Sequence, residues 1–131
     1  VNVQTHQGID RRLCGEPTSV EPDRATVALT AVAEMAADDR GLVHGGFVFG
    51  AADYAAMLAV NHPNVVLGAA EARFLAPVVV GEVVLATAAV VERAGRKHRI
   101  EVSAAVGDRV VFSGVLTAFV LDAHVLEGRG S

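Results

Sequence analysis

A chain of 131 residues, 13.6 kDa in mass, accommodates one ordinary domain and no second core, and at this length it buries enough surface to fold without disulfides or a structural metal. Its 52% hydrophobic content and mean hydropathy of +0.41 are high for so small a chain. The apolar runs are nevertheless too short to cross a bilayer, so the surplus apolar surface predicts burial between subunits rather than in a membrane. Eleven Lys and Arg against 15 Asp and Glu leave a net charge of −4, without the positive field that draws nucleic acid. The lone cysteine, Cys14, forms no internal disulfide and fits a reducing, cytoplasmic setting. The opening VNVQTHQGID has no basic stretch followed by an apolar one, so no secretory signal is expected.

Taken in chain order, residues 4–13 predict a short helix. CGEP, with Pro17 and Pro22 after it, reads as a turn into a first strand over 25–35, where Val27, Leu29 and Ala31 alternate with Thr26, Ala28 and Thr30. AADDRGLVHGG is a loop, and residues 47–60, rich in Ala, Leu and Met and closed by Asn61, His62 and Pro63, predict the one long helix. Val-rich segments of strand length follow at 65–75, 82–93, 97–106 and 109–121. The breaks at 93–96 (RAGR) and at Gly107-Asp108 suit antiparallel hairpins. The fold class is therefore α+β. The helix sequence FVFGAADYAAMLAVN has Asp53 as its sole ionisable acid and Tyr54 as its only other polar side chain before Asn61, so it needs cover nearly all round. A five-stranded antiparallel sheet wrapped around it, with a second subunit closing the remaining side, supplies that cover.

Asp53 is the anomaly. A carboxylate on an apolar helix costs several kcal/mol unless it is paired, hydrogen-bonded or open to a cleft. It is either a structural acid or a catalytic one. Gly45 and Gly46 stand where loop becomes helix, so their N–H groups lack intrahelical acceptors at the positive end of the helix dipole, a place for negative oxygen; alone, the pair is equally a tight turn. Together, an oxyanion-binding N–H and a carboxylate are the tools for hydrolysing an ester or thioester without a serine triad. Eight residues separate them, about 12 Å along a helix at ~1.5 Å per residue, too far for both to hold one carbonyl. Either one acts alone, or a two-fold dimer brings Gly45 of one copy opposite Asp53 of the other.

The segment HGGFVFGAAD, His44 to Asp53, resembles the His-Gly-Gly, seven-residue, Asp or Glu signature of hotdog-fold acyl-CoA thioesterases of the phenylacetate-pathway type, and FLAP, Phe74 to Pro77, followed by VGE, is similar as well. The resemblance spans about residues 25–121. It implies a hotdog fold, a homodimer or dimer of dimers, and hydrolysis of an acyl-CoA to free acid and coenzyme A, which enters as substrate, with no cofactor. It further implies that the Gly45 N–H polarises the thioester carbonyl with Gly46 beside it, that Asp53 activates water or attacks directly, and that His44 orients the loop or bonds near the thioester. Relatives often carry an Asn six residues before the His, where this chain has Asp38, and a hydroxyl on the strand after the helix, where VVLGAAEARF has none. Glu71 is the acid on that strand; with Arg73 it serves near the site or forms a surface ion pair.

Phe47, Tyr54 and Phe74, with Phe49 and Met57, line an acyl tunnel or are ordinary core. Arg96 and Lys97, with Arg93 and Arg99, meet coenzyme A phosphates or are a solvated hairpin tip. No HExxH or other metal pattern occurs among the five histidines, so no metal is expected. Two other classes stay open: an enoyl-thioester hydratase or dehydratase, for which the nearest match, DDRGLVH, lacks the Asn and Pro of a DxNPxH motif, and an acyl-CoA binder without turnover.

Overall fold

Sixteen residues, Gly45–Val60, form the long helix α2, and everything else is arranged to cover it. The computed structural model describes residues 1–128. In chain order these are a one-turn helix α1 (Arg11–Cys14), strands β1 (Glu16–Glu21) and β2 (Arg24–Thr30), a 3-10 turn at Ala33–Met35, α2, and strands β3 (Val65–Phe74), β4 (Val83–Ala94), β5 (Lys97–Val106) and β6 (Arg109–Val120), with a last 3-10 turn at Val125–Gly128. The strands form one sheet in the order β1-β2-β4-β5-β6-β3, every neighbouring pair antiparallel. This α+β arrangement, one long helix packed on an antiparallel sheet, is the hotdog fold. No helix among the described residues is long and apolar enough to cross a membrane.

The sheet has six strands, not the expected five. The CGEP stretch is not a turn: it opens β1, which pairs with β2 across a register shift between Pro17 and Ser19. Pro17 is tolerated because β1 is an edge strand, where a missing N–H breaks no inner ladder. The expected strand over 25–35 ends at Thr30, and the chain turns away through Ala33–Met35. The short helix over 4–13 shrinks to α1, whose N-cap Asp10 accepts from the Arg12 N–H at 2.9 Å. The helix begins at Gly45 rather than at 47. Both expected hairpins are present as two-residue turns, with Gly95 at φ 62° and Gly107 at φ 57°.

Inward-facing Val27, Leu29, Val84, Ala86, Ala88, Ile100, Val102, Ala104, Leu116 and Ala118 pack on buried Ala51, Ala52, Ala55, Ala56, Leu58 and Ala59 of α2. Alanine on the helix lets strands approach closely, so the core reaches native density with few large side chains. Two surfaces stay uncovered. From Val48 onward, the helix residues outside the buried set are Phe49, Gly50, Asp53 and Val60. On edge strand β3, residues 68–74 are exposed on both faces, and Phe74 and Leu75 are 57% and 54% exposed.

Gly114 on β6 lies under β3: a Cβ there would sit 2.8 Å from the Glu71 carbonyl oxygen and 3.2 Å from the Phe112 ring. Backbone cannot yield cheaply, so Gly114→Ala is expected to cost about 1–3 kcal/mol and to lower the melting temperature by several degrees. Gly8→Ala, where a Cβ meets nothing within 4 Å, should leave it unchanged in the same thermal melt.

Candidate active site

The turn that opens α2 is fixed by its own loop. Asp38 Oδ1 accepts from the Arg40 and Leu42 N–H groups at 3.0 and 3.1 Å. The Ala37 N–H donates to the Leu42 carbonyl at 2.7 Å, the Val43 N–H to Val78 at 2.8 Å and the His44 N–H to Met35 at 2.9 Å. His44, extended at φ −62° and ψ 128°, is the N-cap and makes no side-chain cap bond. Its carbonyl takes the Phe47 N–H at 3.0 Å, leaving the Gly45 and Gly46 N–H groups without an intrahelical acceptor at the positive end of the dipole. The His44 imidazole lies over Gly46, where a Cβ would come within 3.1 Å of it; its ring meets Phe47 edge to face at 6.2 Å. The Phe74 ring stands 3.4 Å from where a Gly45 Cβ would be.

Beside this turn is an apolar recess of about 330 Å³ walled by Val43, Gly45, Val48, Phe74, Pro77 and Val111. Its outer loop is held by Glu82, whose Oε1 accepts from the Val79 N–H at 2.9 Å and whose two oxygens take Arg109 Nη2 at 3.0 Å. A free N–H at Gly45 beside an apolar recess suits a ligand with one polar carbonyl and a greasy tail.

Asp53 lies two helical turns further along. The residue is partly exposed, but its Oδ1 is buried without a hydrogen-bond partner. Burial alone pushes its carboxyl up from 3.8 to about 6, because desolvation disfavours the charged form and no cation or donor offsets it. Such a carboxylate is still ionised at neutral pH yet basic enough to take a proton.

The other residues singled out in the sequence are dispersed. Tyr54 turns inward, 1% exposed, with its hydroxyl unpartnered and its ring 6.3 Å from His6; it does not border the recess. Asp38 binds its own loop. Glu71 and Arg73 face away from α2, in a groove of about 1010 Å³ on the outer side of the sheet shared with Arg24, Thr87, Glu101 and Ser103. Strand alternation from inward Ala70, Ala72 and Phe74 puts them there. Arg96 pairs with Asp122 at 2.5 Å and Arg93 with Asp23. Arg96 lies in the β4–β5 turn and Lys97 opens β5; the Arg96 carbonyl accepts from the Val120 N–H, at the end of the sheet where β3 begins. Gly45 is at the opposite end, roughly 30 Å away at ~3.3 Å per strand residue.

Within one chain, then, the fold gathers His44, Gly45, Gly46, Phe47 and Phe74, and places Asp53 apart on the same helix. Sequence reasoning missed Val43, Val48 and Val111, which are indistinguishable from core by composition; Pro77 entered only as the end of the FLAP segment. The thiol of the half-buried Cys14 is pushed up, chiefly by burial. Among the described residues no three His, Cys, Asp or Glu side chains converge as a metal requires.

Residues 40–113 match the family model described as the thioesterase superfamily, a span that holds the Gly45 turn, Asp53 and Phe74. The chain is similar to the crystal structure of an uncharacterized protein from Pyrococcus horikoshii, with 48% identity and a TM-score of 0.95 over 96% of this chain and 97% of that one. It is also similar to a mutant structure of the phenylacetic acid degradation protein PaaI from Thermus thermophilus, with 28% identity and a TM-score of 0.77 over 83% of this chain and 95% of that one. A curated relative, the methylthioribose-1-phosphate isomerase of Aquifex aeolicus, is 48% identical over 123 residues, covering 93% of this chain but 27% of its own length. The chain thus spans about a quarter of that relative, and most of the protein bearing the isomerase name has no counterpart here. With the family match extending over more than half of its residues, this chain belongs to the thioesterase superfamily.

Proposed function

We propose that the protein hydrolyses an acyl thioester, an acyl-CoA, to the free acid and thiol, at sites shared between two copies: the Gly45 N–H of one chain receives the carbonyl oxygen and Asp53 of the partner subunit supplies the base or nucleophile. The observation that carries this reading is the uncovered stripe on α2. Gly46, Phe49, Gly50 and Asp53 share one helix face and are not buried, and the stripe is centred on residues 49 and 50. A two-fold axis through that centre sets two helices antiparallel and brings the Gly45 turn of each opposite Asp53 of the partner subunit. Gly50, where a Cβ would meet nothing within 4 Å, leaves room for close approach, and the exposed edge of β3 offers a ladder for the second sheet.

The chemistry follows from charge. As water oxygen attacks the thioester carbon, Asp53 takes the water proton and the carbonyl oxygen becomes negative, held by the Gly45 N–H at the helix start. The tetrahedral intermediate then expels the sulfur, which recovers the proton. In the nucleophilic variant, a carboxylate oxygen of Asp53 forms an anhydride with the acyl group, releasing the thiol, and water cleaves the anhydride. The acyl tail has the recess beside Phe74 and Pro77 as its natural place. A binder without turnover would have no use for a half-buried carboxylate with one oxygen sealed off and unpartnered.

Thiol release from a panel of acyl-CoA esters tests the reading. Asp53→Asn should abolish turnover while substrate still binds. Gly45→Pro deletes the N–H while suiting the first helical position and the extended His44 before it; it should lower kcat by about 10²–10³. An Asp53→Asn protein that hydrolyses a good substrate at the normal rate would refute the assignment.

Asp53 also sets a pH dependence. In the fold its carboxyl titrates near 6, above its ordinary 3.8, so folding favours the protonated acid. Below about pH 4 both states are protonated and nothing is lost; as pH rises through the interval to about 6, the unfolded chain ionises first and stability falls. Removing the charge should therefore stabilise: Asp53→Asn is expected to gain on the order of 1–3 kcal/mol at pH 7, allowing for partial exposure, and close to nothing at pH 3, as read by denaturant melts at the two pH values.

A further inference from the structure

Between β3, which ends at Phe74, and β4, which begins at Val83, the consecutive residues Leu75, Ala76, Pro77 and Val78 wall the recess beside Gly45. The backbone ties this stretch at each end: the Leu75 N–H donates to the Val111 carbonyl at 2.8 Å, and the Val78 carbonyl accepts from the Val43 N–H at 2.8 Å. In the middle, Pro77 has no N–H to give, and it is exposed, so no packed layer backs this part of the wall. Its carbonyl accepts from Arg109 Nη2 at 3.3 Å. The same nitrogen lies 3.0 Å from each carboxylate oxygen of Glu82, and Glu82 Oε1 also accepts from the Val79 N–H at 2.9 Å. Both members stand on the sheet. Arg109 is the first residue of β6, and the Glu82 carbonyl accepts from the Ala31 N–H at 2.9 Å, just past the end of β2.

We propose that Glu82 and Arg109 are specificity-determining positioning residues: by gripping the Pro77 carbonyl and the Val79 N–H they hold the recess narrow, and so select compact acyl groups over long chains. That the recess seats an acyl tail rests on the hydrolytic reading above; the grip on its wall does not.

The recess, about 330 Å³, is at the small end of the ~300–1,000 Å³ usual for small-molecule sites. Its lining is apolar, so it discriminates by size and shape rather than by polar substituents. A wall without packing behind it keeps its place only through its polar ties, and a guanidinium between a carboxylate and a carbonyl is a charge-assisted one. The two side chains are 47% and 24% exposed, so the pair adds little to overall stability. The Val79 N–H, with the Arg109 guanidinium, holds the Glu82 carboxyl below the usual carboxylate range, so the grip stays charged over the interval in which Asp53 titrates.

Thiol release from butyryl-CoA and dodecanoyl-CoA tests the proposal. Wild-type protein should favour butyryl-CoA in kcat/KM. Arg109→Met keeps the stem and deletes the donors; it should raise the dodecanoyl-to-butyryl ratio of kcat/KM about tenfold or more, with the acid limb of the pH profile in place and the melting temperature nearly unchanged. Arg109→Lys, shorter and a point charge, should fall between and serves if the methionine variant is poorly folded. A merely structural defect would lower both rates alike and leave the ratio where it was. Calorimetric titration of the two acyl-CoA esters into Asp53→Asn protein, with and without Arg109→Met, reads the same ratio as affinities and needs no turnover. A wild-type preference for the dodecanoyl chain, or a ratio unmoved by both Arg109 variants, overturns the proposal and leaves hydrolysis standing. A shifted affinity ratio in a protein whose wild type releases no thiol overturns the hydrolytic reading alone, and esters that neither bind nor react overturn both.

Discussion

A carboxylate held on a helix that is otherwise alanine and aliphatic is the constraint around which the rest of this molecule is organised. Water is removed from one edge of Asp53 and no donor or cation replaces it, so the fold carries an unfavourable charge at neutral pH. In the hydrolytic reading proposed above, that cost and the use of the group have one origin: the dehydration that destabilises the ion makes it a better proton acceptor. In the same reading the free N–H at Gly45, with Gly46 beside it, is the matching half, a small positive field of fixed direction beside an apolar recess.

Covering the helix explains the architecture. A sheet of six strands supplies most of the cover, and alanines at the contacts let it come close. The N-terminal residues 2–14, held at Asn61, close a further side. What is left open, the stripe through Gly50 and the bare edge of β3, is the surface a small and unusually apolar chain would be expected to hide against its own copy.

Legibility in the sequence followed the range of the signal. α2 and the last four strands were readable because Val-rich runs and two-residue turns are local, and a sheet wrapped around the helix followed from its lack of a polar stripe. β1 was lost because Pro17 and Pro22 signal a turn, and only the edge position makes Pro17 acceptable. Gly45 and Asp53 were singled out by chemistry and spacing within one helix. Glu71 and Arg73 were assigned no face, because strand register rather than composition sends them to the outer groove; likewise Arg96 and Lys97 form a basic cluster in sequence that the hairpin carries to the far end of the sheet. The hydrogen bonds from Asn61 to Asn2 and Gln4 join residues far apart in the chain, and no local pattern announces them.

The shared site is the central claim, and mixed dimers test it most directly. Asp53→Asn and Gly45→Pro chains, each inactive alone, are co-expressed with different affinity tags and the heterodimer is purified through both. One of its two sites then holds an intact Gly45 and an intact Asp53 contributed by different chains, so thiol release should return to about half the wild-type rate per dimer. A heterodimer as inactive as either parent would contradict the account and place both groups, or the one that matters, within a single chain.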